Sequence, residues 1–131
     1  MRLGLDCRGL ISDERLRFGR QLGATDVIAG GAAFAQRRTG SGPLHLQYEE
    51  LARAREQVES AGMNLHAVEN LPFSWFGDIF YGGPQRDSQI ENLGNVFAES
   101  PWVTFYHQQM VSDDTPEEMA ASSEIAESWI Q

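Results

Sequence analysis

The chain alternates short apolar strands with amphipathic helices, and a helix–glycine–strand pattern recurs along it. One copy runs from Gly23 into residues 25–29, and another runs from Gly62 into residues 64–69. Glycine after the last turn ends a helix because it adopts the left-handed conformation without strain. Strands that alternate with helices at this spacing are typical of parallel βαβ units. We therefore predict the order β-α-β-α-β-α-β-α, an α/β fold. Half of a TIM barrel and a small open doubly wound sheet both fit this pattern.

The bounds of the predicted elements follow from apolar spacing and from end signals. Ser12 has the residue type of a helix N-cap, and Asp13 and Glu14 follow it in the turn where the helix dipole favours acids. Thr115 and Pro116 have the residue types of another helix start. The predicted strands are residues 2–7, 25–29, 64–69 and 102–106, and the predicted helices are 13–22, 48–61, 86–99 and one that begins near residue 115.

Two long segments between these elements are predicted as loops. The first, about residues 33–46, is polar and contains glycine and proline, so we expect it to be exposed and mobile. The second follows the third strand and is rich in aromatic residues, which cover a site, pack against a partner subunit or are simply exposed: Phe73, Trp75, Phe76, Phe80 and Tyr81.

Charge is the most informative part of the composition. All ten basic residues are arginines, and nineteen acids give a net charge of −9, which disfavours nucleic acid as a partner because such binding depends on phosphate neutralisation. An acidic chain without lysine is typical of adaptation to high salt, and a GC-rich coding bias explains the missing lysine equally well. Residues 113–131 hold six acids and no base. We therefore divide the chain into a βα-repeat domain, residues 1–112, and an acidic helical tail, residues 113–131.

The apolar runs and the cysteine count limit the cellular compartment and the chemistry that we expect. No apolar run approaches the roughly 20 residues of a membrane span, and Asp6 interrupts the apolar N-terminus, so we expect a cytoplasmic protein without a membrane partner. Cys7 is the single cysteine, which excludes a disulfide within one chain. We interpret it as a small buried strand residue.

A specific motif lies between the third strand and the third helix. A Gly-Gly-Pro turn at residues 82–84 leads into Arg86-Asp87 and then Gln89-Ile90-Glu91-Asn92, with Ile90 and Leu93 predicted on one helix face. With Glu69-Asn70-Leu71-Pro72 before it, this block resembles the mannonate dehydratase family. The resemblance spans most of residues 1–110 in family order, although the helix after the motif is shorter than in the family and contains Gly94.

The resemblance implies a TIM barrel of which this chain is the N-terminal half, since a complete barrel takes about 250 residues. It implies a lyase that dehydrates D-mannonate to 2-keto-3-deoxy-D-gluconate in hexuronate (glucuronate) breakdown, with Mn²⁺ or Fe²⁺ as cofactor. In the family the metal ligands come from later strands, so we expect no metal ligand in this sequence. Whether the chain alone is an enzyme is left open.

Candidate site residues follow from the barrel rule that active sites lie at the carboxyl ends of strands. Arg8 offers a guanidinium for a sugar-acid carboxylate or for hydroxyls, and Asn70 is a further candidate for binding the substrate. Glu69 offers a carboxylate that accepts hydrogen bonds from hydroxyls or approaches a divalent metal. His107, after the fourth strand, is the candidate catalytic acid or base. The predicted partner is a small sugar acid.

Two other functions remain open beside the lyase. The first is a non-catalytic remnant or interaction protein, and the second is a sugar isomerase or epimerase of the xylose-isomerase-like barrels. Half a barrel also leaves two unpaired strand edges, so a homodimer formed through these edges is expected.

Overall fold

The computed structural model describes residues 1–35 and 45–106, which form four strands and the helices between them. The predicted tail helix, His107 and most of the first predicted loop lie outside the described residues. The strands are β1 (Gly4–Cys7), β2 (Asp26–Gly30), β3 (Asn64–Glu69) and β4 (Thr104–Tyr106). The α-helices are α1 (Asp13–Gln21), α2 (Ala32–Ala35), α3 (Tyr48–Ser60), α4 (Gly77–Tyr81) and α5 (Arg86–Glu99), with a 3₁₀ turn at Phe73–Trp75.

The four strands form one parallel sheet in the order β1-β2-β3-β4, which decides between the two architectures that the sequence allows. A doubly wound sheet reverses its strand order at a switch point, whereas this sheet always adds the next strand on the same side. Because parallel crossovers are right-handed, a constant direction of addition places the connecting helices on one face. The α/β prediction is confirmed, and the architecture is that of part of a TIM barrel.

The pleat divides the strand residues between the two faces of the sheet. Side chains such as Val27, Ala29, Leu65 and Val68 are buried in the core between sheet and helices, and fully buried Cys7 joins them as the sequence predicts. The opposite face carries the alternate residues in register, Asp6 and Ile28 with Ala67 and Thr104. The register shifts by one residue between Val27 and Ile28, which leaves His66 as the extra residue of a β-bulge.

Local end signals are confirmed where the structure describes them. The Ser12 side chain accepts a hydrogen bond from the Arg15 amide at 3.2 Å and caps α1. Gly23 and Gly62 follow the helices with φ of 83° and 77°, the left-handed conformation that the repeat requires. The sequence therefore determines where α1 and α3 begin and end.

Both predicted loops need correction. The aromatic segment after β3 is not a simple loop, because it folds into the 3₁₀ turn and α4, with the rings of Phe73 and Phe76 packed edge to face at 5.3 Å. Residues 33–35 of the first predicted loop are helical. On α5, Gln89 and Val96 face the core, whereas Ile90 is 42% exposed. No helix among the described residues is long and apolar enough to cross a membrane.

Candidate functional site

The carboxyl ends of the strands form one row of residues at the same edge of the sheet. Gly30 is paired in register with Glu69, and Glu69 with Tyr106, while Arg8 directly follows the last residue of β1. Of the predicted site residues, this edge brings Arg8, Glu69 and Asn70 together, and it adds Tyr106. His107 lies outside the described residues.

Glu69 and Tyr106 form a close hydrogen-bonded pair at this edge. The Glu69 residue is only 8% exposed, and its Oε2 accepts a hydrogen bond of 2.6 Å from the Tyr106 hydroxyl. This bond to the carboxylate raises the pKa of the Tyr106 phenol, and burial and the charge of Glu69 raise it further. A buried carboxylate needs such a partner because an unpaired charge in the interior is costly. The phenol therefore gives the buried Glu69 side chain a hydrogen-bond partner and holds its position.

Asp6 and Arg8 form a second, exposed pair beside the first. The Arg8 Nε donates to the Asp6 Oδ2 at 2.8 Å, and both side chains are largely exposed to water. This hydrogen bond and the nearby charges of Asp6 and Glu69 raise the pKa of Arg8. An exposed ion pair contributes little to stability, so the Arg8 side chain can turn toward another anion at small cost.

Backbone contacts fix the positions of these residues. The Gly31 amide donates to the Glu69 carbonyl at 2.7 Å, and the Asn70 amide donates to the Tyr106 carbonyl at 3.1 Å. Asn70 has a left-handed backbone with φ of 52°, which asparagine tolerates better than most residues. Its backbone amide thus connects the end of β3 to β4, and the residue is exposed.

The Glu69–Tyr106 bond gives a direct test of the site geometry. Replacing Glu69 by glutamine removes the negative charge, so we expect the pKa of Tyr106 to fall toward the usual value of about 10. The titration can be followed by NMR of isotope-labelled tyrosines, with the Tyr106→Phe variant identifying the Tyr106 signal. An unchanged Tyr106 titration in Glu69→Gln would show that the two side chains are not bonded in solution.

Sequence reasoning missed the role of Tyr106 although it placed this residue at a strand end. The missing information was the β3–β4 register, which brings the phenol opposite Glu69. The expected Mn²⁺ or Fe²⁺ does not fit the described residues alone. No group of three histidine, cysteine or acidic side chains capable of holding an ion occurs among residues 1–35 and 45–106. The two nearby carboxylates, Asp6 and Glu69, are bonded to Arg8 and Tyr106.

The cluster combines a movable guanidinium with a fixed carboxylate and a phenol. Arginine binds a carboxylate through two parallel hydrogen bonds, and a carboxylate accepts hydrogen bonds from hydroxyl groups. This arrangement suits a small ligand that carries a carboxylate at one end and hydroxyls along its length.

Comparison with known proteins supports the fold and nothing more specific. No protein-family model matches the chain, and no curated protein matches it in sequence. The crystal structure of mannonate dehydratase from Streptococcus suis serotype 2 is similar to it, with a TM-score of 0.57 and 19% sequence identity over 80% of this chain. The chain spans only 30% of the length of that protein. The likeness shows a distant relation in fold to part of a barrel enzyme.

Proposed function

We propose that the chain binds a sugar acid, such as D-mannonate, at the carboxyl edge of its sheet, as part of a lyase of the mannonate dehydratase type. The observation that carries this proposal is the joint placement of Arg8 and the Glu69–Tyr106 pair at that edge. In this assignment Arg8 binds the substrate carboxylate, and Glu69 and the adjacent Asn70 bind hydroxyl groups. The fold likeness to a mannonate dehydratase supports the choice of substrate class. The proposal includes a cytoplasmic location in hexuronate breakdown.

Dehydration of a sugar acid places further demands on the site. A base removes the proton next to the carboxylate, and an acid protonates the departing hydroxyl. We assign one of these roles to His107, which follows Tyr106 in the sequence. A divalent cation such as Mn²⁺ or Fe²⁺ supplies a Lewis acid when bound. Because the described residues do not form a site for it, its ligands belong elsewhere in the assembly that carries the activity.

The binding step is tested by calorimetric titration of the full chain with D-mannonate. We expect Arg8→Gln to weaken binding about tenfold or more, since a tenfold change corresponds to about 1.4 kcal/mol and charge-assisted hydrogen bonds contribute on this scale. Arg53→Gln is the matched control, because Arg53 is exposed on α3 and its Nε donates to the Glu49 carbonyl within the same helix. Equal affinity in both variants would remove Arg8 from the site, and no binding to the wild-type chain would refute the proposal.

Catalysis is a separate question with its own assay. The lyase proposal requires that the chain form the keto-deoxy product from D-mannonate in the presence of Mn²⁺. It also requires that the His107→Ala variant lose this activity. Binding without product formation would favour the second function, a non-catalytic interaction protein. The exposed apolar side chains of the described part favour that alternative, since large ones such as Phe18 and Phe80 are 56% and 60% exposed.

A further inference from the structure

The row of strand ends has a gap between Arg8 and Glu69. β1 and β2 are paired in register up to the residue before Arg8, so Arg8 lies level with Gly30. Gly30 is paired in turn with Glu69, and Glu69 with Tyr106. Because the residue between them is a glycine, no side chain separates Arg8 from Glu69.

The spacing of the strands puts Glu69 within reach of Arg8. Gly30 lies against the Arg8 backbone, since a Cβ built on it would be 2.7 Å from the Arg8 carbonyl oxygen and 3.0 Å from the Arg8 Cα. Residues two strands apart are separated by about 10 Å between backbones, a distance that an arginine and a glutamate side chain together cover. The charge of Glu69 also contributes to raising the pKa of Arg8.

Two carboxylates therefore compete for one guanidinium. Asp6 lies two residues before Arg8 on the same face of the sheet, and its Oδ2 accepts a hydrogen bond of 2.8 Å from the Arg8 Nε. Among residues 1–35 and 45–106 this is the one hydrogen bond of the Arg8 side chain, which leaves Nη1 and Nη2 for another partner. Glu69 uses Oε2 for the bond from Tyr106, so its Oε1 is left to accept from a hydroxyl or a guanidinium.

The bond to Asp6 decides where the movable Arg8 side chain rests. The Arg8 side chain is 83% exposed, whereas the Glu69 residue is 8% exposed. Water screens charges less in a buried position than at the surface, so Glu69 attracts a nearby cation strongly. Without Asp6, we expect Arg8 to turn to Glu69. Such an ion pair would occupy both groups that are assigned to the ligand.

We propose that Asp6 is a positioning residue of the site, which holds Arg8 at Nε and thereby keeps its guanidinium off Glu69. The terminal nitrogens of Arg8 then stay available for a ligand carboxylate, and Glu69 stays available for ligand hydroxyls. Asp6 acts through Arg8 and does not touch the ligand. Its effect on binding rests on the proposed function, whereas its hold on Arg8 does not.

The effect on binding is tested by calorimetric titration of two full-length variants with D-mannonate. Asp6→Asn keeps an oxygen that accepts from Nε and removes a negative charge, so we expect it to bind as tightly as the wild type or more tightly. Asp6→Ala removes the acceptor, and we expect about three- to tenfold weaker binding, because only the fraction of molecules with Arg8 off Glu69 is competent to bind. If Asp6 merely repelled the anionic ligand, both variants would bind more tightly.

A matched control separates this effect from the loss of any exposed ion pair. Asp87 on α5 is exposed and accepts a hydrogen bond of 2.8 Å from the neighbouring Arg86, and Asp87→Ala is expected to leave the affinity unchanged. If Asp6→Ala loses its circular dichroism, Asp6→Val takes its place, since valine suits a strand and offers no acceptor. Tighter binding by both Asp6 variants, or an Asp6→Ala affinity equal to that of Asp87→Ala, would overturn the inference.

The hold on Arg8 is tested without ligand through the NMR titration of Tyr106. When Arg8 pairs with Glu69, its positive charge approaches the Glu69–Tyr106 bond and lowers the pKa of the phenol. We therefore expect a lower Tyr106 pKa in Asp6→Ala than in the double variant Asp6→Ala/Arg8→Gln, which lacks the same negative charge. Equal values in these two variants would overturn the inference even if the chain binds D-mannonate. A wild-type chain that binds no D-mannonate would refute the proposed function, and the Tyr106 titration would then decide about Asp6 by itself.

Discussion

Replacing Gly31 by alanine is expected to destabilise the protein by about 3 kcal/mol, at the upper end of the range for overpacking a close contact. A Cβ atom at this position would lie 2.6 Å from the Asn70 carbonyl oxygen and 2.6 Å from the Leu71 Cα. Both obstructing atoms belong to the backbone, so no change of rotamer relieves the clash. The Gly31 amide also donates to the Glu69 carbonyl at 2.7 Å. Any shift that makes room for the methyl group therefore strains the connection between β2 and β3 and displaces Glu69.

Gly94 provides the matched control, since the same methyl group enters open space there. Gly94 lies inside α5, and apart from its chain neighbours and the nearby backbone of the helix, no atom of the described residues lies within 4 Å of a Cβ built on it. Alanine favours a helix interior over glycine by about 0.5–1 kcal/mol, so Gly94→Ala is expected to stabilise the chain. Urea unfolding of both variants measures the two changes. Equal effects of the two substitutions would contradict the close approach of β2 to the segment after β3.

Replacing Asp26 by alanine is expected to lower the free energy of unfolding by about 2–3 kcal/mol at neutral pH. The substitution removes a buried carboxylate together with the charge-assisted hydrogen bonds that it accepts. Asp26 is 5% exposed. Its Oδ2 accepts from the Arg2 Nε at 2.9 Å and from the Thr25 hydroxyl at 2.6 Å, and Arg2 Nη2 donates to Oδ1. Asp6→Ala is the control, since Asp6 is also a strand carboxylate paired with an arginine but is exposed, and its loss is expected to change stability by less than about 1 kcal/mol.

The contribution of Asp26 depends on pH in a defined direction. Its hydrogen bonds with Arg2 and Thr25 lower its pKa in the folded protein below the value of about 3.9 usual for the unfolded chain. A lowered folded pKa adds stability that is fully present above the unfolded value and is lost as pH falls through the folded value. The difference in unfolding free energy between wild type and Asp26→Ala is therefore expected to shrink below about pH 4. A difference that stays constant from neutral pH to below pH 3 would argue against an ionised Asp26 in the core.

The parts of the fold that sequence reasoning predicts are those determined by neighbouring residues. Ser12 and the glycines at positions 23 and 62 act within one turn of their own helices, so the bounds of α1 and α3 are readable from local spacing. The helices within residues 73–81 escaped prediction because they depend on ring packing between residues several positions apart. Phe73 contacts Phe76 and Tyr81, with centroids 5.3 and 5.9 Å away.

The strand order and the contacts within the site, in contrast, depend on residues that are far apart in the sequence. Periodicity is identical in a barrel and a doubly wound sheet, so the order β1-β2-β3-β4 required the pairing of distant segments. The strand-end rule was sufficient to find Arg8 and Glu69 as candidates. It did not show that Glu69 is paired with Tyr106 or that the Asn70 backbone connects two strands, because both depend on register. Their roles in binding remain predictions.

The sequential strand order also determines which parts of the molecule hold together most firmly. Among the described residues each strand pairs with the strand before or after it in the chain, so the pairing is shared between neighbours, as in repeat proteins. Within residues 1–35 and 45–106, the inner strands β2 and β3 are paired on both sides, whereas β1 and β4 are paired on one. Glu69 lies on an inner strand, while Arg8 and Tyr106 lie at the two outer ones. A ligand that contacts all three residues would connect the outer strands β1 and β4 to the inner strand β3. Ligand binding is therefore expected to increase the order of the two outer strands.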